Sequence, residues 1–108
     1  MKILRSAGLL LAHASLLTAR AAPLRTADIR VRDPFIFADR KTSTYYLYAQ
    51  AANRERSGFQ GVEVYTSKNL TEWAPPKPVL TLPADSGVAM VWAPEMHAFN
   101  NAYYLFVT

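Results

Sequence analysis

The stretch Asp33-Pro34-Phe35-Ile36-Phe37-Ala38-Asp39-Arg40-Lys41-Thr42-Ser43-Thr44-Tyr45-Tyr46-Leu47-Tyr48 decides the fold. It holds two short apolar runs, rich in aromatics, on either side of a polar loop from Asp39 to Ser43. Runs of that length bounded by turn residues read as the paired strands of a hairpin. Working outward, strands are predicted over Asp33 to Ala38, Thr44 to Gln50, Gly61 to Ser67 and Val79 to Leu82. Asn53 to Gly58 is charged and ends in glycine, as a connecting loop does. Lys68 to Pro78 holds Trp73 together with Pro75, Pro76 and Pro78. Prolines cannot donate ladder hydrogen bonds, so that connection is predicted to lie outside the sheet. No helical period survives for three turns from Asp33 onward, and an all-β domain follows.

The pattern then restarts. Trp92-Ala93-Pro94-Glu95-Met96-His97-Ala98-Phe99, Asn100-Asn101 and Ala102-Tyr103-Tyr104-Leu105-Phe106-Val107 echo the opening stretch. Pro34 and Pro94 are 60 residues apart, and Tyr46 and Tyr104 are 58 apart. A repeat near that period with about four short strands per unit is the pattern of a β-propeller blade. The strands are apolar on both faces, which suits sheets stacked blade against blade. A propeller needs at least four blades, whereas the chain holds one blade and about half of a second. It is therefore expected to be an N-terminal fragment of a larger propeller.

The 108 residues carry 51% hydrophobic and 19% charged side chains, too apolar for a disordered chain. The net charge of +4 and pI near 9.6 invite an anionic partner. Position argues otherwise. Lys2, Arg5 and Arg20 lie in an acid-free leader, MKILRSAGLLLAHASLLTARA, leaving nine basic against eight acidic residues from Ala22 onward. The leader has a basic start, an apolar run from Ala7 to Ala19 and small residues at Ala19 and Ala21, the layout of a secretory signal peptide. The run falls short of the roughly twenty residues needed to span a bilayer, so no stable membrane anchor is expected. The predicted organisation is a signal peptide over 1–21, an N-terminal extension over 22–32, blade 1 over 33–82, and a linker with a partial blade 2 over 83–108. The predicted location is secreted, extracellular or periplasmic. Cysteine is absent, which removes disulfides, thiolate metal sites and a Cys nucleophile. Basic and acidic residues alternate between Asp28 and Arg56, a mixed surface that gives no nucleic-acid footprint.

The ordered set Arg32 to Phe37, Tyr45 to Tyr48, Gly61 to Leu70, Trp73 and Trp92 to His97 resembles glycoside hydrolase family 43. No single motif is decisive, and the order is what carries the likeness. The resemblance implies a five-bladed propeller that hydrolyses arabinose- or xylose-containing plant glycans with inversion, of which this chain supplies the N-terminal third. It implies that Asp33 is the general base. Inversion needs one carboxylate to activate water and an acid roughly 6.5–9.5 Å away to protonate the leaving oxygen. Pro34 is expected to hold Asp33 extended at the strand entrance. The plainer reading is that Asp before Pro opens a turn. Shifting by the repeat sets Ala93 against Asp33, and the resemblance implies that Trp92 and Ala93 line the sugar subsite. An indole face suits the C–H face of a sugar, and a small Ala leaves room for the ring.

The proton-donating acid and a carboxylate tuning it belong, by resemblance, to blades beyond Thr108, so the chain is expected to be inactive alone. Glu95 reads as an orienting residue, Asp85 as a turn residue, His97 as structural, and Trp73 as a hydrophobic staple. Asn69-Leu70-Thr71 matches an N-glycosylation acceptor in a loop. The expected partner is a carbohydrate substrate; the sequence does not specify an oligomeric state. No cofactor is expected in this segment, and the resemblance leaves room for a structural calcium in the full-length propeller. Rival readings of the same residues are a non-catalytic sugar-binding propeller, a structural propeller, and a retaining fructan-cleaving propeller. The last would open its first blade with Asn-Asp-Pro-Asn, which Arg32-Asp33-Pro34-Phe35 does not match.

Overall fold

The computed structural model describes residues 21–51 and 58–108. All but the last residue of the expected signal peptide, and most of the loop from Asn53 to Gly58, lie outside the described residues. The described residues form eight strands: β1 (Leu24–Arg25), β2 (Phe35–Asp39), β3 (Thr44–Ala51), β4 (Gly61–Ser67), β5 (Glu72–Trp73), β6 (Lys77–Thr81), β7 (Glu95–Phe99) and β8 (Ala102–Phe106). A single 3₁₀ turn, Thr26–Asp28, is the only helical element among the described residues. One sheet runs β1-β5-β4-β3-β2 with β6 also paired to β4, and β7 and β8 form a second. All of the pairings are antiparallel.

Hairpin chemistry sets the two sharp turns. After β2, Asp39 accepts from the Lys41 backbone N–H at 3.0 Å and from the Thr42 hydroxyl at 2.6 Å, and Ser43 closes the loop at φ +48°. The Thr42 hydroxyl is the main reason that the Asp39 carboxyl sits below its ordinary value. After β7, Asn100 and Asn101 both take positive φ, +49° and +60°. That pair of angles is what a two-residue turn between twisted strands requires, and Asn tolerates it.

The expectation that Lys68 to Pro78 lies outside the sheet is overturned in part: Pro75 and Pro76 stay outside it, while two short stretches join it. Glu72–Trp73 pairs with β1 and β4, and Lys77–Thr81 pairs with β4. Pro78 is accommodated because β6 lies off the main path of the sheet and its register shifts between Val62 and Glu63, beside the Glu63↔Pro78 pair. The Leu80 carbonyl approaches Gly61 where a Cβ would stand, and Gly61 has φ +145°. Only glycine satisfies both demands.

Both faces of the large sheet are packed. On one, Leu47, Ala49, Tyr65 and Trp73 are buried under Leu24, Ile29, Val31 and Tyr45. Trp73 is 1% exposed, and its indole N–H donates to the Thr26 hydroxyl at 2.9 Å, which in turn donates to the Leu70 carbonyl at 2.7 Å. Trp73 is therefore the predicted staple, tying the N-terminal segment onto the sheet. On the other face, Tyr48, Val62 and Val91 meet Phe35, Phe37, Tyr46, Met96, Leu105 and Val107, which joins the two sheets.

Candidate active site

The turns after β2 and after β7 flank one cleft, lined by Asp39 to Lys41 from one side and Ala98 to Tyr103 from the other. Phe35 meets His97 at 5.7 Å between ring centroids, and Phe37 meets Tyr103 edge-on at 5.9 Å. β2 and β7 therefore lie side by side in the same sense. Their starts, with Asp33 before one and Trp92-Ala93 before the other, come out at the same end of the molecule.

Asp33 stands where the chain changes face. Val31 packs on the first core cluster and Phe35 on the second, so residues 32–34 cross the sheet end at its β2 edge. Asp33 takes φ +46°, in the left-handed region. The expectation of an extended Asp33 held by Pro34 is overturned. A crossing within three residues needs a sharp bend that an extended residue does not supply, and Asp is among the few side chains that tolerate this one. The conformation costs roughly 1–2 kcal/mol. The Asp33 side chain is 60% exposed, with Oδ2 3.7 Å from Nε of Arg32, which is itself 83% exposed. An ion pair so long and so wet holds the carboxylate loosely.

Ala93 repeats the device. It has φ +42°, precedes Pro94 and stands two residues before its strand, as Asp33 does before β2. Val91 and Pro94 on either side are buried, whereas Trp92 is 52% exposed and Ala93 is exposed. Two anchors thus present two surface residues. The Trp92 backbone is clamped to Thr108, N–H to carbonyl at 2.8 Å and carbonyl to N–H at 3.0 Å. From there to the Glu95↔Phe106 pair, the Trp92 side has one residue more than the Thr108 side. The extra residue makes a bulge where Ala93 turns left-handed, the arrangement that re-aims a side chain at a strand end.

The Glu95 carboxylate is engaged. Glu95 Oε2 lies 3.1 Å from His97 Nε2, and that imidazole packs against Phe35 and Phe106. Glu95 and His97 thus take the orienting and structural places expected for them. Asp85 sits in a turn closed by the Ser86 N–H on the Pro83 carbonyl at 3.2 Å. Asn69 Oδ1 accepts from the N–H groups of Thr71 and Glu72, both at 2.9 Å, so the acceptor motif forms a tight polar turn.

Sequence reasoning missed two residues. Glu63 is 4% exposed and accepts from the Tyr65 hydroxyl at 2.7 Å. Gln50 has a buried amide nitrogen with no hydrogen-bond partner. The shared parity of Glu63 and Tyr65 was a visible signal for the first; nothing in the sequence marked the second. Among the described residues no group of three or more His, Asp or Glu side chains is placed to hold a metal ion.

A model of the family described as Glycosyl hydrolases family 43 matches residues 26–108. Among solved structures, an endo-arabinase from Bacteroides thetaiotaomicron VPI-5482 is similar at 30% identity and a TM-score of 0.61, over 82% of this chain and 29% of that one. The chain thus spans less than a third of that enzyme's length. A search of the curated proteins finds no match.

Proposed function

The chain belongs to glycosyl hydrolase family 43, and from that premise we propose that it supplies the general-base side of an inverting glycosidase acting on arabinose- or xylose-containing glycans, arabinan first among them. The observation that carries this reading is the paired rim. An open carboxylate at Asp33 and an open indole beside a small residue at Trp92-Ala93 stand at one end of two adjacent strands. The similarity to an endo-arabinase supports arabinan as the substrate.

In this reading the complete enzyme is a five-bladed propeller whose first blade spans residues 33–82 and whose second begins within 83–108. The sugar rests its apolar face on Trp92, and Ala93 leaves space for the ring. The Asp33 carboxylate takes a proton from water as the water oxygen bonds to the anomeric carbon. The bond from that carbon to the leaving oxygen breaks, and a carboxylic acid from outside these 108 residues protonates the leaving oxygen. Glu95 is tied to His97 and Glu63 is buried under Tyr65, so neither is assigned that role. The leader directs export, with the mature chain starting at Ala22.

The test uses the full-length enzyme that contains this chain. Asp33→Ala should lower kcat on debranched arabinan by at least about 10³-fold, in line with removal of a group acting directly at the reacting centre. The fold should survive, because Ala93 already holds the same backbone conformation. Added azide should restore turnover of an activated aryl arabinofuranoside and yield the glycosyl azide of inverted configuration. Undiminished activity in the variant removes Asp33 from the base role. Sugar binding without turnover in the unmodified full-length protein favours the non-catalytic propeller.

A further inference from the structure

We propose that Gln50 is the positioning residue for the Asp33 carboxylate, an inference that rests on the base role given to Asp33 above. The β2–β3 ladder pairs Phe35 with Tyr48. The ladder ends there, and the same register carried two residues further would bring position 33, on the left-handed turn that leaves β2, to the β3 end at position 50. Directly opposed residues on antiparallel strands share a face, with Cβ atoms about 4.5–5.5 Å apart. Gln50 therefore belongs to the face that carries Phe35, Tyr48 and Val62 and meets Val91, the residue before Trp92.

At that position the Gln50 amide nitrogen is buried and makes no hydrogen bond. A buried donor without a partner costs about 1–3 kcal/mol, and a leucine of similar size would avoid that cost. The Asp33 carboxylate, two residues beyond the last ladder pair, is held among the described residues only by the long, wet contact with Arg32 at 3.7 Å. One group is a donor without an acceptor, and the other is an acceptor without a firm donor. The left-handed turn at Asp33 swings its side chain off the ladder. Rotation of the carboxylate back over the β2–β3 edge, as a sugar covers the rim, brings it onto the Gln50 N–H. That bond fixes the lone pair that receives the water proton.

The ionisable groups on the elements packed around this corner are Arg32 on the same turn, Tyr48 on β3, and Glu95 and His97 on β7. All of them are unchanged in the variants proposed. In the full-length enzyme, Gln50→Leu should melt at a higher temperature, because the orphaned amide is gone. Its kcat on an aryl arabinofuranoside should fall about 10- to 100-fold with KM nearly unchanged, and the acidic limb of its kcat profile should move to higher pH. Loss of a donor to a carboxylate makes the carboxylate easier to protonate. Gln50→Glu should move that limb further in the same direction through like-charge repulsion. Carbon-13 labelling of Asp33 reads the same shift directly in the saccharide-bound protein, without turnover.

A more stable Gln50→Leu enzyme with unchanged kcat and unchanged acidic limb overturns the proposal and leaves the amide as a core defect. A rise in KM alone overturns it in favour of direct sugar binding by Gln50. The Asp33→Ala control separates this outcome from failure of the base assignment. If Asp33→Ala is inactive while the Gln50 variants titrate normally, only the positioning role falls.

Discussion

Asp33 and Ala93 show how much chemistry a single backbone angle can carry. Both are left-handed, both precede proline, and both open the strand that begins two residues later. The 60-residue spacing visible in the sequence thus reappears as a repeated conformation, which the side chains alone do not announce. The rule that proline extends its predecessor pointed the wrong way here, because the need to cross from one sheet face to the other outweighed it. For Ala93 the conformation has a measurable cost. Ala93→Gly should raise the stability of the full-length enzyme by about 0.5–1 kcal/mol, the left-handed penalty less the added chain entropy of glycine. A thermal melt reads it. Ala93→Val should do the reverse and also raise KM, since a β-branched side chain is strained at φ +42° and fills the space beside Trp92. An unchanged KM in the valine variant would remove Ala93 from the sugar subsite. Gln50 stayed hidden for a different reason: in strands covered on both sides, sequence parity does not reveal which polar group lacks water, whereas for Glu63 the shared parity with Tyr65 was a signal left unread.

Among the elements, the four longest strands of the first sheet and the β7–β8 hairpin were legible because aromatic and β-branched runs are separated by strong turn residues. Thr44–Ala51 and Gly61–Ser67 fall within one residue of where the sequence sets them. β2 and β6 shift by two residues at their starts, and β5 was not foreseen at all. Three prolines made that region read as a loop, yet pairing off the main path with a register shift admits Pro78. The short β5 owes its place to Trp73, whose side chain is buried while its N–H reaches Thr26. Two substitutions separate those contributions. Trp73→Phe should cost about 1–3 kcal/mol, for the lost hydrogen bond together with the smaller ring. Trp73→Ala should cost about 3–5 kcal/mol and release the N-terminal segment from the sheet. Denaturant unfolding gives the energies, and faster hydrogen exchange at the Leu24 and Thr26 amides reports the release. Equal losses in the two variants would mean that the ring itself contributes little.

For the molecule as a whole, cohesion between the two sheets depends on the cluster around Tyr48, Val62 and Val91. Burial raises the Tyr48 hydroxyl above its ordinary value of 10.0, with smaller contributions from Tyr46 and Tyr103. The folded protein therefore favours the neutral phenol. The associated stability is fully present below about pH 10, the ordinary range for an unfolded tyrosine. It is lost as pH rises through the higher folded value. The melting temperature of the full-length enzyme should accordingly fall as pH rises above about 10, and Tyr48→Phe should flatten that fall. Identical alkaline profiles for the two proteins would assign the loss to other tyrosines. The matched left-handed residues at 33 and 93 have one more consequence, for engineering. Because both positions combine a left-handed φ with a following proline, a residue that tolerates that angle, a carboxylate included, can be moved in principle from the first position to the second without redrawing the main chain. On the catalytic reading proposed above, the residue fitted to each of these two mounting points sets what the rim can do.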